Sequence, residues 1–356
     1  MTDKDIREKY RQRERRKKYV LVLGLVILVA AGFYFVTVGY ADTSMTQAVK
    51  ALAAWISGKL SSGNSEQNSI YKIIVLMRMP RVALAITAGA GLAVSGTAMQ
   101  AVTRNPLVSP FTMGISSAAA FGASMCIVFG NGIFWGNEAG VITGAFISSA
   151  LCIMFVYVIS LKAGMKAETV VLTGIALNYF FSALSSAVEF FAQENKLSSI
   201  VQWAFGTFNG SVWRDAAISG VIILAGLALS ASKSRELNIM SYGDDEMAVG
   251  LGINPKKIRG LICVVSVMMT AAIISFTGVI GFVGLAAPHM ARMMIGNDHK
   301  YLIPFSAIMG SLLLISADAI GRKVMQPVSI PVGIVVSFLG VPIFIHLILR
   351  ERRIRS

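Results

Sequence analysis

Nine strongly apolar stretches of the chain contain no Asp, Glu, Lys or Arg, and each is long enough, or nearly so, to cross a membrane. A helix needs about 20 residues to cross the roughly 30 Å hydrocarbon core of a bilayer. Because lipid offers no hydrogen-bond partners, every backbone N–H and C=O in such a stretch must be satisfied within the protein. The stretches therefore predict helices, and they cover residues 19–41, 82–103, 105–137, 139–161, 169–188, 216–232, 260–291, 301–317 and 324–349.

The composition agrees with a protein embedded in a bilayer. Hydrophobic residues make up 55% of the 356 residues and charged residues only 14%, against about 25% in ordinary globular domains. The net charge of +14 comes mostly from the two ends and from short segments between apolar stretches. That distribution is typical of cationic loops flanking membrane spans and leaves no basic groove. A disordered chain, a secreted disulfide scaffold and a nucleic-acid-binding domain are excluded.

The distribution of lysine and arginine predicts the topology. Nine of them lie in Lys4–Lys18 and four in Arg350–Arg355, so both termini are expected in the cytoplasm and the number of crossings is even. One stretch must then cross twice, and 105–137 and 260–291 are the two long enough. A break in 260–291 near Ser275–Gly281 places 23 of the 32 lysines and arginines inside, against 18 for the other choice. We therefore predict an all-α integral membrane protein of ten transmembrane helices with both termini cytoplasmic.

The predicted organisation has one membrane domain and no large soluble domain. A helix at the membrane interface is expected over Met45–Lys59, because its apolar residues recur at helical spacing. The predicted parts are a basic cytoplasmic N-terminal arm (1–18), a ten-helix transmembrane domain (19–349) with an extracytoplasmic segment (42–72) and a cytoplasmic segment (241–254), and a basic cytoplasmic tail (350–356).

The sequence contains little that could carry catalysis. It has no G-x-x-x-x-G-K-[ST] motif for cradling phosphates, so any ATP would be hydrolysed by a partner subunit. Its histidines and cysteines show no metal-ligand spacing, and we expect no enzyme activity, cofactor or metal bound by this chain. Glu168, Glu189 and Asp318 lie near predicted span ends, where they could form an ion relay or simply cap helices and pair with neighbouring Lys or Arg.

Several segments resemble, in order and spacing from about residue 71 to residue 349, the permeases of type II ABC importers, which import iron–siderophores, haem and cobalamin. The matching segments are Arg78-Met-Pro-Arg81, Gln100–Leu107, Leu172–Asn178, Gln202–Gly206, Tyr242–Ile253, Gly278–Arg292, Ile330–Ile334 and Gly340–Phe344. The resemblance implies the ten-span permease fold of that family. It also implies a second permease subunit, identical or a paralogue, two cytoplasmic ATPase subunits and an extracytoplasmic substrate-binding protein.

The resemblance also assigns roles to individual residues. The residues implied to dock the binding protein are Arg78, Arg81 and Arg322. Those implied to couple the ATPase are Gly243, Asp244, Asp245, Glu246, Ala248, Leu251 and Gly252, with Ala248 and Leu251 expected to form a compact surface. Those implied to narrow the pathway on the cytoplasmic side are Asn105, Pro106 and Leu107. In the family the transport pathway narrows at a second place, which would fall near Glu168 here. A charged residue does not suit a neutral gate, so this role is not assigned to Glu168.

The resulting prediction is a multi-pass permease in the bacterial cell membrane, in contact with lipid and without a nucleic-acid partner. It would carry a metal chelate, foremost a ferric siderophore, using ATP hydrolysed by its partner. Import of cobalamin or haem by the same mechanism is the alternative cargo. An ion-coupled secondary transporter acting alone is the alternative from another class.

Overall fold

The computed structural model describes residues 3–39, 43–58, 66–130, 137–326 and 328–342, and these residues form helices and connecting turns with no β-strand. The predicted tail at 350–356 lies outside the described residues. The helices are α1 (Asp3–Thr37), α2 (Met45–Ile56), α3 (Glu66–Lys72), α4 (Met79–Thr103), α5 (Ile115–Phe129), α6 (Glu138–Lys162), α7 (Ala167–Phe190), α8 (Glu194–Ala204), α9 (Trp213–Ser232), α10 (Ser234–Tyr242), α11 (Asp245–Gly250), α12 (Pro255–Thr277), α13 (Val283–Ile295), α14 (His299–Val324) and α15 (Val332–Pro342).

Every predicted apolar stretch contains a helix. Within the described ranges, seven helices are long and apolar enough to cross a membrane: α1, α4 with the turns before it, α6, α7, α9, α12 and α14. The two remaining stretches hold the shorter helices α5 and α15, and the stretch 260–291 holds the short helix α13 after α12. An all-helical membrane protein is therefore confirmed, whereas ten crossings and the cytoplasmic position of the termini stay predictions.

The stretch 260–291 is broken at the predicted place. Helix α12 ends at Thr277 and α13 begins at Val283. Gly278 has a φ of 69°, a conformation that suits glycine, and a Cβ at this position would lie 2.1 Å from the Trp203 carbonyl oxygen. The break therefore needs a residue without a side chain.

The helix that contains the second apolar stretch, 82–103, begins well before residue 82. Helix α3, a π-helical turn (Ile73–Arg78) and α4 follow one another without interruption. Pro80 has no N–H to donate, and its ring crowds the preceding turn, which widens into the π-helical geometry. Arg78 and Arg81 thus lie within a continuous helix that begins before the apolar stretch 82–103.

Helices α4 and α12 form the centre of the molecule. Helix α4 contacts α1, α9, α12, α13 and α14, and α12 connects this group to α5 and α6. Helices α4 and α14 approach each other closely, since a Cβ on Gly89 would lie 2.2 Å from the Gly310 carbonyl oxygen. Small residues at this crossing let the two backbones touch. The outer faces of α1, α6, α7 and α9 expose mainly apolar side chains, as expected for contact with lipid.

Contacts at the two ends of the bundle separate the charged segments as the charge count predicts. At one end, called here the basic end, Lys17 of α1 lies 3.7 Å from Asp298, and Arg104 forms an ion pair with Asp245. The N-terminal arm is part of this end, because α1 runs without interruption from Asp3 and Glu14 accepts a hydrogen bond from Tyr301.

The other end is called here the opposite end. It carries α2, which is observed where a helix is predicted. Trp55 of α2 stacks on Trp213 of α9, with ring centroids 5.1 Å apart, and Trp213 donates to the Val75 carbonyl oxygen. Val49 and Ile56 remain exposed, as expected of a helix lying at the interface.

Candidate functional site

The predicted coupling segment forms a short, well-capped helix at the basic end. The Asp244 carboxylate accepts a hydrogen bond from the Met247 N–H at 2.7 Å and begins α11 as its N-cap. Gly252 follows the helix with a φ of 78°, and its position is open on all sides. The acidic run from Asp244 to Glu246 thus lies at the helix N-terminus, where negative charge is favoured.

The surface of α11 differs from the predicted one. Ala248 is fully buried and faces the bundle, so it cannot form an outer surface with Leu251. The exposed apolar residues are instead Met247, Val249 and Leu251, each more than half exposed. The sequence analysis missed Met247 and Val249, although two large apolar side chains in a polar connecting segment are an available signal. Together they form an apolar surface outside the membrane-spanning helices.

An ion pair between a buried arginine and a partly exposed aspartate fastens α11 to the bundle. Arg259 of α12 is fully buried and donates to both oxygens of the Asp245 carboxylate, at 2.9 and 3.1 Å. Arg104, at the end of α4, forms a second ion pair with the same carboxylate. These donors, first the hydrogen bonds from Arg259, hold the pKa of Asp245 below its usual range. The role of Arg259 was missed because burial of a charge cannot be read from a single sequence.

The predicted gate residues lie beside this ion pair. Arg104 ends α4 in the left-handed conformation, with a φ of 51°. The Asn105 side chain accepts a hydrogen bond from the Leu107 N–H at 2.9 Å and closes a tight turn around Pro106. Leu107 is more than half exposed. The structure therefore brings the coupling segment and the gate loop together through Arg104.

Two of the three predicted docking arginines, Arg81 and Arg322, meet at the opposite end around one aspartate. Asp318 is almost fully buried, with Arg81 Nη2 2.7 Å from its Oδ1 and Arg322 Nε 3.0 Å from its Oδ2. Arg81 also donates to the Asn209 side chain. The interpretation of Asp318 as a partner of neighbouring arginines is confirmed.

Arg78 is more deeply buried than a docking residue was expected to be. Its guanidinium donates to the Thr37 carbonyl oxygen at 3.0 Å and to Thr43 Oγ1 at 2.6 Å. It therefore joins the end of α1 to the start of α4. The other acidic candidates are not buried: Glu168 is exposed and Glu189 is half-buried. Among the described residues, no group of three or more His, Cys, Asp or Glu side chains could hold a metal ion.

Comparison with known proteins finds a family and relatives that align with almost the whole chain. A model of the FecCD transport family matches residues 25–350. The Fe(3+)-citrate import system permease protein YfmD of Bacillus subtilis (strain 168) is 32% identical over 97% of this chain and 98% of its own. The cobalamin import system permease protein BtuC of Halobacterium salinarum is 33% identical over 94% of this chain and 91% of its own.

A solved structure resembles the fold closely. It is a metal-chelate type ABC transporter in an inward-facing conformation, with a TM-score of 0.81 and 28% sequence identity. The match covers 94% of this chain and 99% of that one. The similarity of fold therefore extends over nearly the full length of both chains.

Proposed function

Because the chain belongs to the FecCD transport family and is a membrane permease of the metal-chelate ABC importer type, we propose that its cargo is a ferric siderophore. The match of the family model to residues 25–350, a range that contains every predicted site residue, supports the permease role. Alignment with the Fe(3+)-citrate permease over nearly the full length of both chains supports an iron chelate. The cobalamin permease has similar identity, so cobalamin stays the alternative cargo, together with haem.

The proposed source of energy is a pair of cytoplasmic ATPase subunits bound at the basic end. The exposed apolar surface of Met247, Val249 and Leu251 supports this, because such a surface outside the membrane is suited to a protein partner. Gly243 and Asp244 precede α11, and Glu246 lies in its first turn. This acidic start of the helix would lie at the same contact with the ATPase. A short helix fastened to the bundle can pass on a rigid-body movement of the partner.

The opposite end is proposed to dock the substrate-binding protein. Three arginines and one aspartate, Arg78, Arg81, Arg322 and Asp318, give this cluster a net charge of +2. Carboxylates on a partner would complement that charge and orient its approach. The arginines are held by acceptors of this chain, so their positions are fixed before a partner arrives.

The turn at Asn105, Pro106 and Leu107 is proposed to narrow the pathway on the cytoplasmic side, within an assembly of two permease subunits. Its exposed Leu107 side chain is available for contact across such a pathway. Whether the second subunit is identical or a paralogue does not alter this proposal.

Reconstitution in liposomes tests the function. Permease, ATPase and binding protein are reconstituted together, and uptake of radioactive iron bound to a hydroxamate siderophore is compared with uptake of cobalamin and haem. We expect iron–siderophore uptake that requires internal ATP and both partners. Preferred uptake of cobalamin or haem would overturn the proposal that the cargo is a ferric siderophore.

The same liposomes test the ion-coupled alternative when the permease is present alone. Uptake driven by a proton or sodium gradient without the ATPase would overturn the proposed mechanism. Asp318 lies between Arg81 and Arg322, and this pairing accounts for the buried carboxylate without an ion relay.

A further inference from the structure

Arg259 is the largest fully buried side chain of the described residues, and every part of its guanidinium has a partner. Besides the two oxygens of Asp245, it donates to the Val102 carbonyl oxygen at 3.0 Å and to the Met165 carbonyl oxygen at 2.5 Å. Val102 lies in the last turn of α4, and Met165 lies in the loop between α6 and α7. One side chain thus connects α11 to two separate segments of the basic end.

Both of these segments contain a strained residue. Arg104 and Met165 have φ values of 51° and 57°, and they are two of the three non-glycine residues with positive φ in the described ranges. Such conformations are costly for residues with a Cβ, and they persist where surrounding contacts hold them. The pair of Arg259 and Asp245 supplies part of these contacts, because Arg259 binds the Met165 carbonyl and Asp245 binds the Arg104 side chain. Arg104 also donates to the Met240 carbonyl oxygen at 3.2 Å.

The chemistry of the pair makes this connection stiff. A buried guanidinium left without its carboxylate is strongly unfavourable, so Arg259 and Asp245 are expected to move together. A lysine could not replace Arg259, because its single ammonium lacks the planar fork that reaches several acceptors at once. Movement of α11 would therefore reach the Arg104 and Met165 loops through the same contacts.

We propose that Arg259 and Asp245 are positioning residues that transmit movement of α11 to the loop after α4 and to the loop between α6 and α7. The inference rests on the proposed function, in which α11 receives movement from the ATPase. It adds a physical route from that helix to the gate turn beginning at Asn105 and to the start of α7.

The experiment uses the full complex with ATPase and binding protein. Asp245→Asn keeps the shape of the side chain and removes its charge. Two quantities are measured: chelate transported per ATP hydrolysed, and hydrogen exchange in residues 245–250, 104–108 and 163–167 with and without vanadate-trapped nucleotide. In the unaltered complex, trapping should change exchange in all of these segments.

In Asp245→Asn we expect ATP hydrolysis and the response of 245–250 to persist, while the response of both loops is lost. Transport per ATP should fall about tenfold, within the usual range of coupling between sites. Asp245→Glu should restore part of the ratio because it restores the carboxylate. Lys257→Gln removes an exposed positive charge from the start of α12, the helix that carries Arg259, and should leave both quantities unchanged.

An unchanged transport ratio and unchanged loop responses in Asp245→Asn would overturn the inference. If that variant fails to fold, Arg104→Gln decides, since it removes the ion pair between Asp245 and the loop after α4 and leaves Arg259 bound to Asp245 and to the Val102 carbonyl oxygen. Its expected result is loss of the response in 104–108 alone, and an unaltered response there overturns the route. Failure of the proposed function is seen separately, as uptake by the unaltered permease without ATPase.

Discussion

Arg81 and Asp318 are 237 residues apart in the chain and form a two-pronged ion pair. Arg81 Nε lies 3.0 and 3.1 Å from the two carboxylate oxygens, and its Nη2 lies 2.7 Å from Oδ1. Arg322 approaches the same carboxylate and also donates to the carbonyl oxygens of Phe35 and Val38. The pair therefore joins α4 to α14 and, through Arg322, to the end of α1.

Replacing Asp318 should destabilise the permease strongly. Asp318→Asn leaves two largely buried arginines without their counter-charge, and we expect the free energy of unfolding to fall by about 3 kcal/mol. Denaturant unfolding of the purified protein in a mild detergent measures the change. Lys323→Gln removes an exposed charge from the same turn of α14 and should change the free energy of unfolding by less than about 0.5 kcal/mol. Equal effects of the two substitutions would contradict a structural role of the pair.

The crossing of α4 and α14 predicts a marked difference between two glycines. In Gly89→Ala the new methyl group would lie 2.2 Å from the Gly310 carbonyl oxygen, so the helices must move apart. We expect a loss of about 1–3 kcal/mol, the usual cost of overpacking. In Gly220→Ala the nearest atom is the Thr87 methyl group at 3.6 Å, an ordinary contact, and we expect no loss. Thermal unfolding of both variants in one detergent provides the comparison, and loss of equal size in both would refute the close approach.

Much of the fold could be predicted from the sequence because lipid imposes a simple rule. Apolar stretches become helices, and the glycines near Gly278 mark where the stretch 260–291 must break. The rule leaves Arg78 and Arg81 outside the predicted helix, because a stretch defined by the absence of charged residues ends at the first charged residue. Both arginines lie inside a longer helix, since their charges are satisfied by Thr37, Thr43 and Asp318. Those partners are distant in sequence, and no local pattern identifies them.

The sequence indicated which segment forms the helix α11, but only some of the contacts that its residues make. The N-cap at Asp244 follows from local chemistry, since a short acidic side chain suits the start of a helix. The burial of Ala248 and the contact between Asp245 and Arg259 depend on how α11 rests on α12. Such tertiary contacts are not encoded in residue spacing, so the sequence favoured an outward-facing Ala248.

The two ends of the bundle should face opposite sides of the membrane. Lys257→Cys at the basic end and Lys323→Cys at the opposite end introduce exposed thiols, whereas the native Cys126, Cys152 and Cys263 are buried. With a membrane-impermeant maleimide, Lys323→Cys should be labelled in intact cells, and Lys257→Cys only after permeabilisation. The unaltered protein gives the background. The reverse labelling pattern would refute the predicted orientation, in which lysines and arginines are retained inside.

The attachment of α11 should withstand mild acid. Hydrogen bonds from Arg259 lower the pKa of Asp245 in the folded protein, whereas an unfolded aspartate titrates near about 3.9. A lowered folded-state pKa means that the carboxylate stabilises the fold fully above the unfolded pKa and loses this effect as the pH falls through the folded pKa. Hydrogen exchange of residues 245–250, corrected for the intrinsic effect of pH, should thus remain slow from about pH 7 to 5 and accelerate only below about pH 4. In Asp245→Asn the same segment should exchange faster throughout, without that transition. A transition between about pH 5 and 7 in the unaltered protein would contradict the assigned pairing, because it requires a carboxyl whose pKa is raised.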